Sequence, residues 1–383
     1  MTRPPLDGVR VLELARILAG PWAGQILADL GADVLKVEAP EGDDTRRWGP
    51  PFVEHEGDRA AAYFHATNRG KRSVTVDFRT PEGQAQIREL VRDADVVIEN
   101  FKLGGLKKYG LDYESLSQIN PGLVYCSITG FGQDGPYAPR AGYDFLIQGM
   151  AGWMSLTGDP AGEPQKVGIA FADIFTGLYA VIGIQAALAA RAQTGRGQLV
   201  DMALLDCAVG VLANQGMNFL TTGRAPSRLG NAHPNIAPYE VLPTGSGDII
   251  LAVGNDGQFA RACGVLGLTG LVGDPRFATN EARVANRLVL RESLVAALIT
   301  WDRAELLAAF EAATVPAGPI NTLDQVFADP QVIARGMQID SEGVPGLRLP
   351  IRLSESPLAP AHAAPALASV DAAPAGWRPR EEG

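Results

Sequence analysis

Between residues 9 and 128 the chain alternates short β-prone runs with helix-like segments, and this alternation restricts its fold more than any other feature. Residues 9–14 (Val-Arg-Val-Leu-Glu-Leu), 33–38, 73–78, 95–99 and 123–128 read as strands. A helix is expected over 21–30, with Pro21 at its start and Gly31 at its end. Another opens at Thr80-Pro81. Such alternation predicts an α/β fold with an open, mostly parallel sheet. Ligands of such sheets bind beyond the carboxyl ends of the strands. Residues 173–222 are Ala-rich and read as helical, and 223–243 are loop-rich. A strand at 249–253 and helices near 256–267, 282–299 and 303–312 suggest a smaller inserted α+β domain. The expected organisation is a large domain over 1–222, a small domain over 223–320, and a return to the large domain over 321–383. From Ala359 onward, Ala and Pro dominate, and an irregular, partly disordered surface tail is expected.

The chain's 383 residues suit two or three domains. Net charge −10 and a pI near 5.0 argue against nucleic-acid binding, which needs a basic footprint. The six lysines nevertheless all lie in the first half, and Lys102, Lys107 and Lys108 crowd one stretch. A local site for one small polyanion is compatible with that placement. Three cysteines without a CxxC spacing point to a reducing compartment, and the presence of only four histidines argues against a multi-His metal site. The longest apolar run, 177–190, is too short to span a bilayer and reads as a buried helix. A cytoplasmic protein without membrane association is expected.

Several segments carry candidate chemistry. The loop Ala15-Arg16-Ile17-Leu18-Ala19-Gly20-Pro21, followed by Glu38 at the next strand's end, invites a dinucleotide reading. It lacks G-x-G-x-x-G, and Pro21 removes an amide that a pyrophosphate would use. Asn68-Arg69-Gly70-Lys71-Arg72 is a basic turn, and 99–110 is a Gly-broken basic loop after a strand. Each is either a phosphate site or a solvated loop. Asp173 precedes the apolar helix and has two readings, an N-cap or a nucleophile kept ionised by the helix dipole. His233, in Gly230-Asn231-Ala232-His233-Pro234, is either a proton-transfer group or a locally bonded loop histidine.

Taken together, Leu18-Ala19-Gly20-Pro21, residues 30–38, Gly42-Asp43-Asp44-Thr45-Arg46, residues 68–73, Glu99-Asn100-Phe101, residues 127–132, Thr194-Gly195-Arg196-Gly197-Gln198 and Val315-Pro316-Ala317-Gly318-Pro319 resemble the family III CoA-transferases. Within that superfamily the look is of the succinyl-CoA:glutarate type. The resemblance implies a discontinuous Rossmann-like large domain, a smaller inserted domain and an interlocked, ring-like homodimer. It implies acyl-CoA and carboxylate substrates and no permanently bound cofactor.

The resemblance also assigns residues. Asp173 falls on the family's catalytic carboxylate. Arg16, Leu18, Arg46, Arg47, Trp48, Tyr143, Asp144, Gly230, Asn231 and His233 fall on substrate or oxyanion positions. One of Arg16, Arg46 and Arg47 would hold the second carboxylate of a dicarboxylate. Lys71, Asn100, Phe101 and Lys108 fall on CoA-binding segments, with Arg140 compensating for Ala39, where some members carry Arg. Racemases of the superfamily place His in a G-H-D motif, and Tyr143 in Gly142-Tyr143-Asp144 stands in its place, which favours transfer over racemisation.

Overall fold

The computed structural model describes residues 3–370 and 377–378, and in it the chain divides into two compact units. The larger takes the chain up to Trp153, Lys166–Gly223 and everything described from Pro330 onward. The smaller takes Met154–Gln165 and Arg224–Asp329. It therefore runs past residue 320 and adds a short earlier segment.

In chain order the larger unit begins with β1 (Arg10–Glu13), α1 (Ala19–Asp29), β2 (Asp33–Glu38), the hairpin β3 (Phe52–His55) and β4 (Asp58–Ala61), and α2 (Ala62–Asn68). It continues with β5 (Arg72–Thr75), α3 (Pro81–Arg92), β6 (Val96–Glu99), α4 (Tyr113–Ile119), β7 (Val124–Thr129) and α5 (Asp144–Met150); a single turn, α6 (Trp153–Leu156), begins on its last residue before the chain passes into the smaller unit. Then come α7 (Phe171–Thr194), β8 (Leu199–Ala203), α8 (Leu204–Gly210) and α9 (Ala213–Thr222). Six strands form one sheet in the order β5-β2-β1-β6-β7-β8, and every pairing is parallel. Helices cover both faces, so the strands are apolar throughout rather than alternating. Val11, Val34, Val96 and Ile98 pack on the α1/α7 side, and Leu12, Leu35, Val74 and Val97 on the α3 side.

Local chemistry fixes several boundaries. Pro81 opens α3, and the Thr80 hydroxyl accepts from Gly83 N at 3.1 Å. α1 starts two residues before Pro21, whose missing N–H falls in a first turn where it would lack an intrahelical partner anyway. The stretch 173–222 is not wholly helical. Gly195, at φ 71°, ends α7, and β8 follows at the sheet edge. Gly197 passes so close to Leu123 O that a Cβ there would lie 1.9 Å from it. α7 also departs from the buried helix expected over 177–190. It has 24 residues and is long and apolar enough to cross a membrane by length and composition. One face packs on α1 and the sheet through Ala172, Thr176, Gly177, Ala180 and Ile184, while Leu178, Tyr179 and Ile182 are exposed.

The tail is irregular but packed where it is described. Ala363 and Ala364 are buried, Val370 N donates to Ser73 O at 3.0 Å, and Trp377 Nε1 donates to Leu90 O at 3.0 Å. Residues 371–376 and 379–383 of that expected tail lie outside the described residues.

The smaller unit has an antiparallel sheet of β9 (Tyr239–Thr244), β10 (Gly247–Ala252) and β11 (Ala317–Pro319), in the order β11-β10-β9. Leu242, Ile249, Leu251, Phe259, Leu294 and Phe310 form its core.

Candidate active site

A cavity of about 530 Å³ opens at the carboxyl end of the parallel sheet in the larger unit. The loops after β1, β6 and β7 bring Arg16, Leu18, Asn100, Phe101, Lys108, Arg140 and Tyr143 to its wall, and α7 contributes Asp173. The loop after β2 contributes Ala39, so Ala39 and Arg140 share one cavity. The cations lie on its wall with aromatic partners. Arg16 lies 5.3 Å from the Phe101 ring centroid, Lys108 4.7 Å from Tyr109, and Arg140 3.9 Å from Tyr137.

Asp173 is not an N-cap. α7 begins at Phe171 behind Ala170, and Asp173 occupies its first turn. The capping acceptor is Asp144, whose Oδ1 receives Ala172 N at 2.9 Å while its Oδ2 receives Gln148 Nε2 at 2.7 Å. Asp144 is thus tied to the helix start and is not on the cavity wall. Asp173 is partly buried, and its carboxyl is not held ionised as the helix-dipole reading expected. Burial and, after it, the neighbouring Asp144 charge push it up to about 7. Tyr63, which sequence reasoning missed, lies within electrostatic reach of the same carboxylates. Burial first, then Asp173 and Asp144, push its phenol up to about 12.

Several expected site residues are held elsewhere. Lys71 is buried, with Nζ 2.8 Å from Glu13 Oε2, 2.8 Å from Pro21 O and 2.9 Å from Asn68 Oδ1. Reaching out to CoA would leave the buried Glu13 with Lys36, at 3.1 Å, as its remaining cation partner. Arg46 is buried too. Its guanidinium forks onto Glu38 at 2.7 and 2.7 Å, meets Asp58 at 2.7 Å and donates to Pro365 O at 3.1 Å. It has no donor pair left for a substrate carboxylate. Arg47 and Trp48 are exposed, at the end of and just after the turn Asp44–Arg47. Arg47 pairs with Asp44 at 3.1 Å, and Trp48 packs edge-on to Tyr63 at 5.4 Å. Neither lines the cavity.

Gly230, Asn231 and His233 belong to the smaller unit. There His233 Nδ1 accepts from Asn235 N at 3.0 Å, which places the ring proton on Nε2. Burial and Arg287 lower its pKa, so the neutral imidazole presents an N–H donor.

The cavity also contains residues not singled out as site residues from the sequence. Arg79 lines it at the end of the β5 run, paired with Asp77 at 2.7 Å, and Lys102 and Tyr109 line it from the basic loop. Arg79 was legible as the first cation after a strand that ends on the ligand side of the sheet. Behind Phe101, burial pushes Glu99 up to about 7, and its carboxylate accepts Phe101 N at 2.7 Å and the Ser127 hydroxyl. Among the described residues, no group of three or more His, Cys, Asp or Glu could hold a metal ion.

The family model described as CoA-transferase family III matches residues 6–369. A succinate–glutarate CoA-transferase of Agrobacterium fabrum is 61% identical, over 93% of this chain and 91% of its own. The succinyl-CoA:glutarate CoA-transferase of Homo sapiens is 42% identical, over 88% of this chain and 76% of its own. The crystal structure of a CAIB/BAIF family protein from Brucella suis superimposes with a TM-score of 0.87 at 64% identity, covering 96% of this chain and 97% of that one.

Proposed function

The chain belongs to CoA-transferase family III, and from that premise we propose that it transfers CoA from an acyl-CoA donor to a dicarboxylic acid through Asp173. The observation that carries the reading is the placement of Asp173, at the start of α7, in a cavity whose wall also bears Arg16, Lys102, Lys108 and Arg140. Racemisation is not favoured, because Tyr143 cannot act as the imidazole base that chemistry uses.

In the forward half-reaction the ionised Asp173 carboxylate attacks the thioester carbonyl and expels CoA thiolate, leaving an acyl–aspartyl anhydride. The thiolate then attacks the aspartyl carbonyl and releases the donor acid, which leaves an aspartyl–CoA thioester. The acceptor carboxylate reverses both steps and departs as its CoA ester, restoring Asp173. The anhydride and the thioester are water-sensitive, so a cavity that limits water protects them. Arg16, Lys102, Lys108 and Arg140 supply the positive charge that the CoA phosphates and a second substrate carboxylate need. Of the three arginines expected to hold that carboxylate, Arg16 alone lines the cavity.

Succinyl-CoA as donor and glutarate as acceptor fit the names of the relatives. An interlocked homodimer fits the outward faces of α7 and α9, where Tyr179, Ile182, Met217, Phe219 and Leu220 are exposed and a second copy would cover them. Three buried, unpaired cysteines fit a reducing, cytoplasmic setting. The test is a panel of acyl-CoA donors and mono- and dicarboxylic acids with products resolved by mass. New CoA esters of dicarboxylates are expected, and hydrolysis alone would contradict the reading.

A further inference from the structure

Residues 15–17, which connect β1 to α1, make no ladder bonds, and side chains hold their backbone instead. Lys36 Nζ donates to Ala15 O at 2.9 Å. Arg16 N donates to Asn100 Oδ1 at 2.9 Å, and Asn100 Nδ2 donates back to Arg16 O at 2.6 Å. Ile17 N lies 3.3 and 3.4 Å from the two oxygens of Asp43. Ile17 itself has φ 72°, the left-handed region that a β-branched residue rarely adopts because its Cβ crowds the neighbouring carbonyl. A conformation of that kind persists only where its surroundings over-determine it. Here they do, and the result puts Arg16, Ile17 and Leu18 on the cavity wall with Asp173.

The two clamps differ in setting. Lys36 and Asp43 are buried, 3.0 Å apart, with Lys36 also 3.1 Å from Glu13. Asp43 is anchored further by Thr45 N at 3.0 Å and the Thr45 hydroxyl at 2.8 Å. Asn100 is only partly buried, and its carboxamide satisfies both polar groups of one residue's backbone. Only a side chain that carries a donor and an acceptor together can do so. With both of its ends engaged on Arg16, that carboxamide is oriented toward the loop.

We propose that Asn100 is a positioning residue for CoA transfer, fixing the 16–18 wall, strained at Ile17, of the cavity that Asp173 lines rather than binding CoA through its side chain. The proposal rests on the CoA-transferase reading above. A transfer that runs through two anhydrides and a thioester needs the same wall in register at each step, so loosening the wall should slow the chemistry more than it weakens binding.

The experiment compares Asn100→Ala and Asn100→Asp with the unaltered full-length enzyme. Asn100→Ala should lower kcat by about ten- to a hundredfold, since small misplacements at a reacting centre have effects of that size. KM for acyl-CoA and the calorimetric affinity for CoA should change by less than about threefold, the signature of an interaction felt in the transition state. Asn100→Asp, which can still accept from Arg16 N but cannot donate to Arg16 O, should fall between the two. Without any substrate, amide exchange in residues 14–19 should quicken in Asn100→Ala, with the smaller unit unchanged. A tenfold loss of CoA affinity at constant kcat, or unchanged exchange in 14–19, would overturn the proposal. If the unaltered enzyme transfers no CoA, the functional reading fails by itself, and the exchange measurement still decides whether the clamp exists.

Discussion

Asp144 Oδ1 accepts the backbone N–H of Ala172 at 2.9 Å, one residue ahead of Asp173. One carboxylate thereby caps the helix that carries the other and raises its proton affinity. Asp173 is therefore a carboxyl whose ionisation falls near neutrality, where protonation state and nucleophilicity are in balance.

Attack on the thioester requires ionised Asp173, so kcat/KM for the first half-reaction should rise with pH through a midpoint at about 7 and level off above it. Asp144→Asn keeps an oxygen for Ala172 N and removes the charge. The midpoint should then move to lower pH by about half a unit to one unit, because burial, the larger cause, remains. An unmoved midpoint would show that Asp144 does not tune Asp173.

The same shift affects stability. The ordinary Asp value is 3.8 and the folded value is about 7, so between those limits the folded state binds more protons. Stability should fall as pH rises through that window and stay low above it. Asp173→Asn removes this penalty. At pH 8 it should unfold at higher temperature than the parent, by on the order of 1–2 kcal/mol after solvent screening of a partly exposed group. Below pH 4 the two proteins should melt together. Equal melting at pH 8 would mean that Asp173 is not destabilised by burial.

Lys71 separates a core ion pair from a CoA ligand. Lys71→Met leaves Glu13 buried beside Lys36 alone and should cost about 3–5 kcal/mol in denaturant unfolding. The folded fraction should keep its KM for acyl-CoA. A normal stability with a KM raised tenfold would return Lys71 to the binding site.

Arg16→Ala should lower kcat/KM for dicarboxylate acceptors by about ten- to a hundredfold while sparing monocarboxylates, because a charge-assisted bond to a second carboxylate is worth about 1.5–3 kcal/mol. Equal losses for both classes would remove Arg16 from acceptor recognition.

Particular elements show what could be read from the chain. β2 matches the strand expected at 33–38, and β1, β6 and β7 lie within one residue of their expected ends, because a parallel sheet covered on both faces writes itself as apolar runs. β8 was hidden because Leu199–Ala203 follows directly on an Ala-rich helix, and its partner strand β7 lies far back in the chain. The hairpin Phe52–His55/Asp58–Ala61 is short and polar enough to read as loop. Lys71 and Arg46 read as cations available to CoA and a substrate carboxylate because their anionic partners are brought to them only by the fold, in Lys71's case 58 residues away. As a nucleophile Asp173 was legible only through the family resemblance, since its own residues allowed an N-cap equally well. The capping role of Asp144, 28 residues before Ala172, was not legible at all.

The central claim is that CoA passes through a covalent bond to Asp173. Incubating the enzyme with an acyl-CoA donor, quenching it in acid and mapping peptides by mass tests this directly. The peptide containing Asp173 should gain the mass of CoA less one water, acceptor acid should discharge it, and Asp173→Ala should lose both the adduct and all transfer. An Asp173→Ala enzyme that still makes acceptor CoA ester, or an adduct mapped to another residue, would contradict the account.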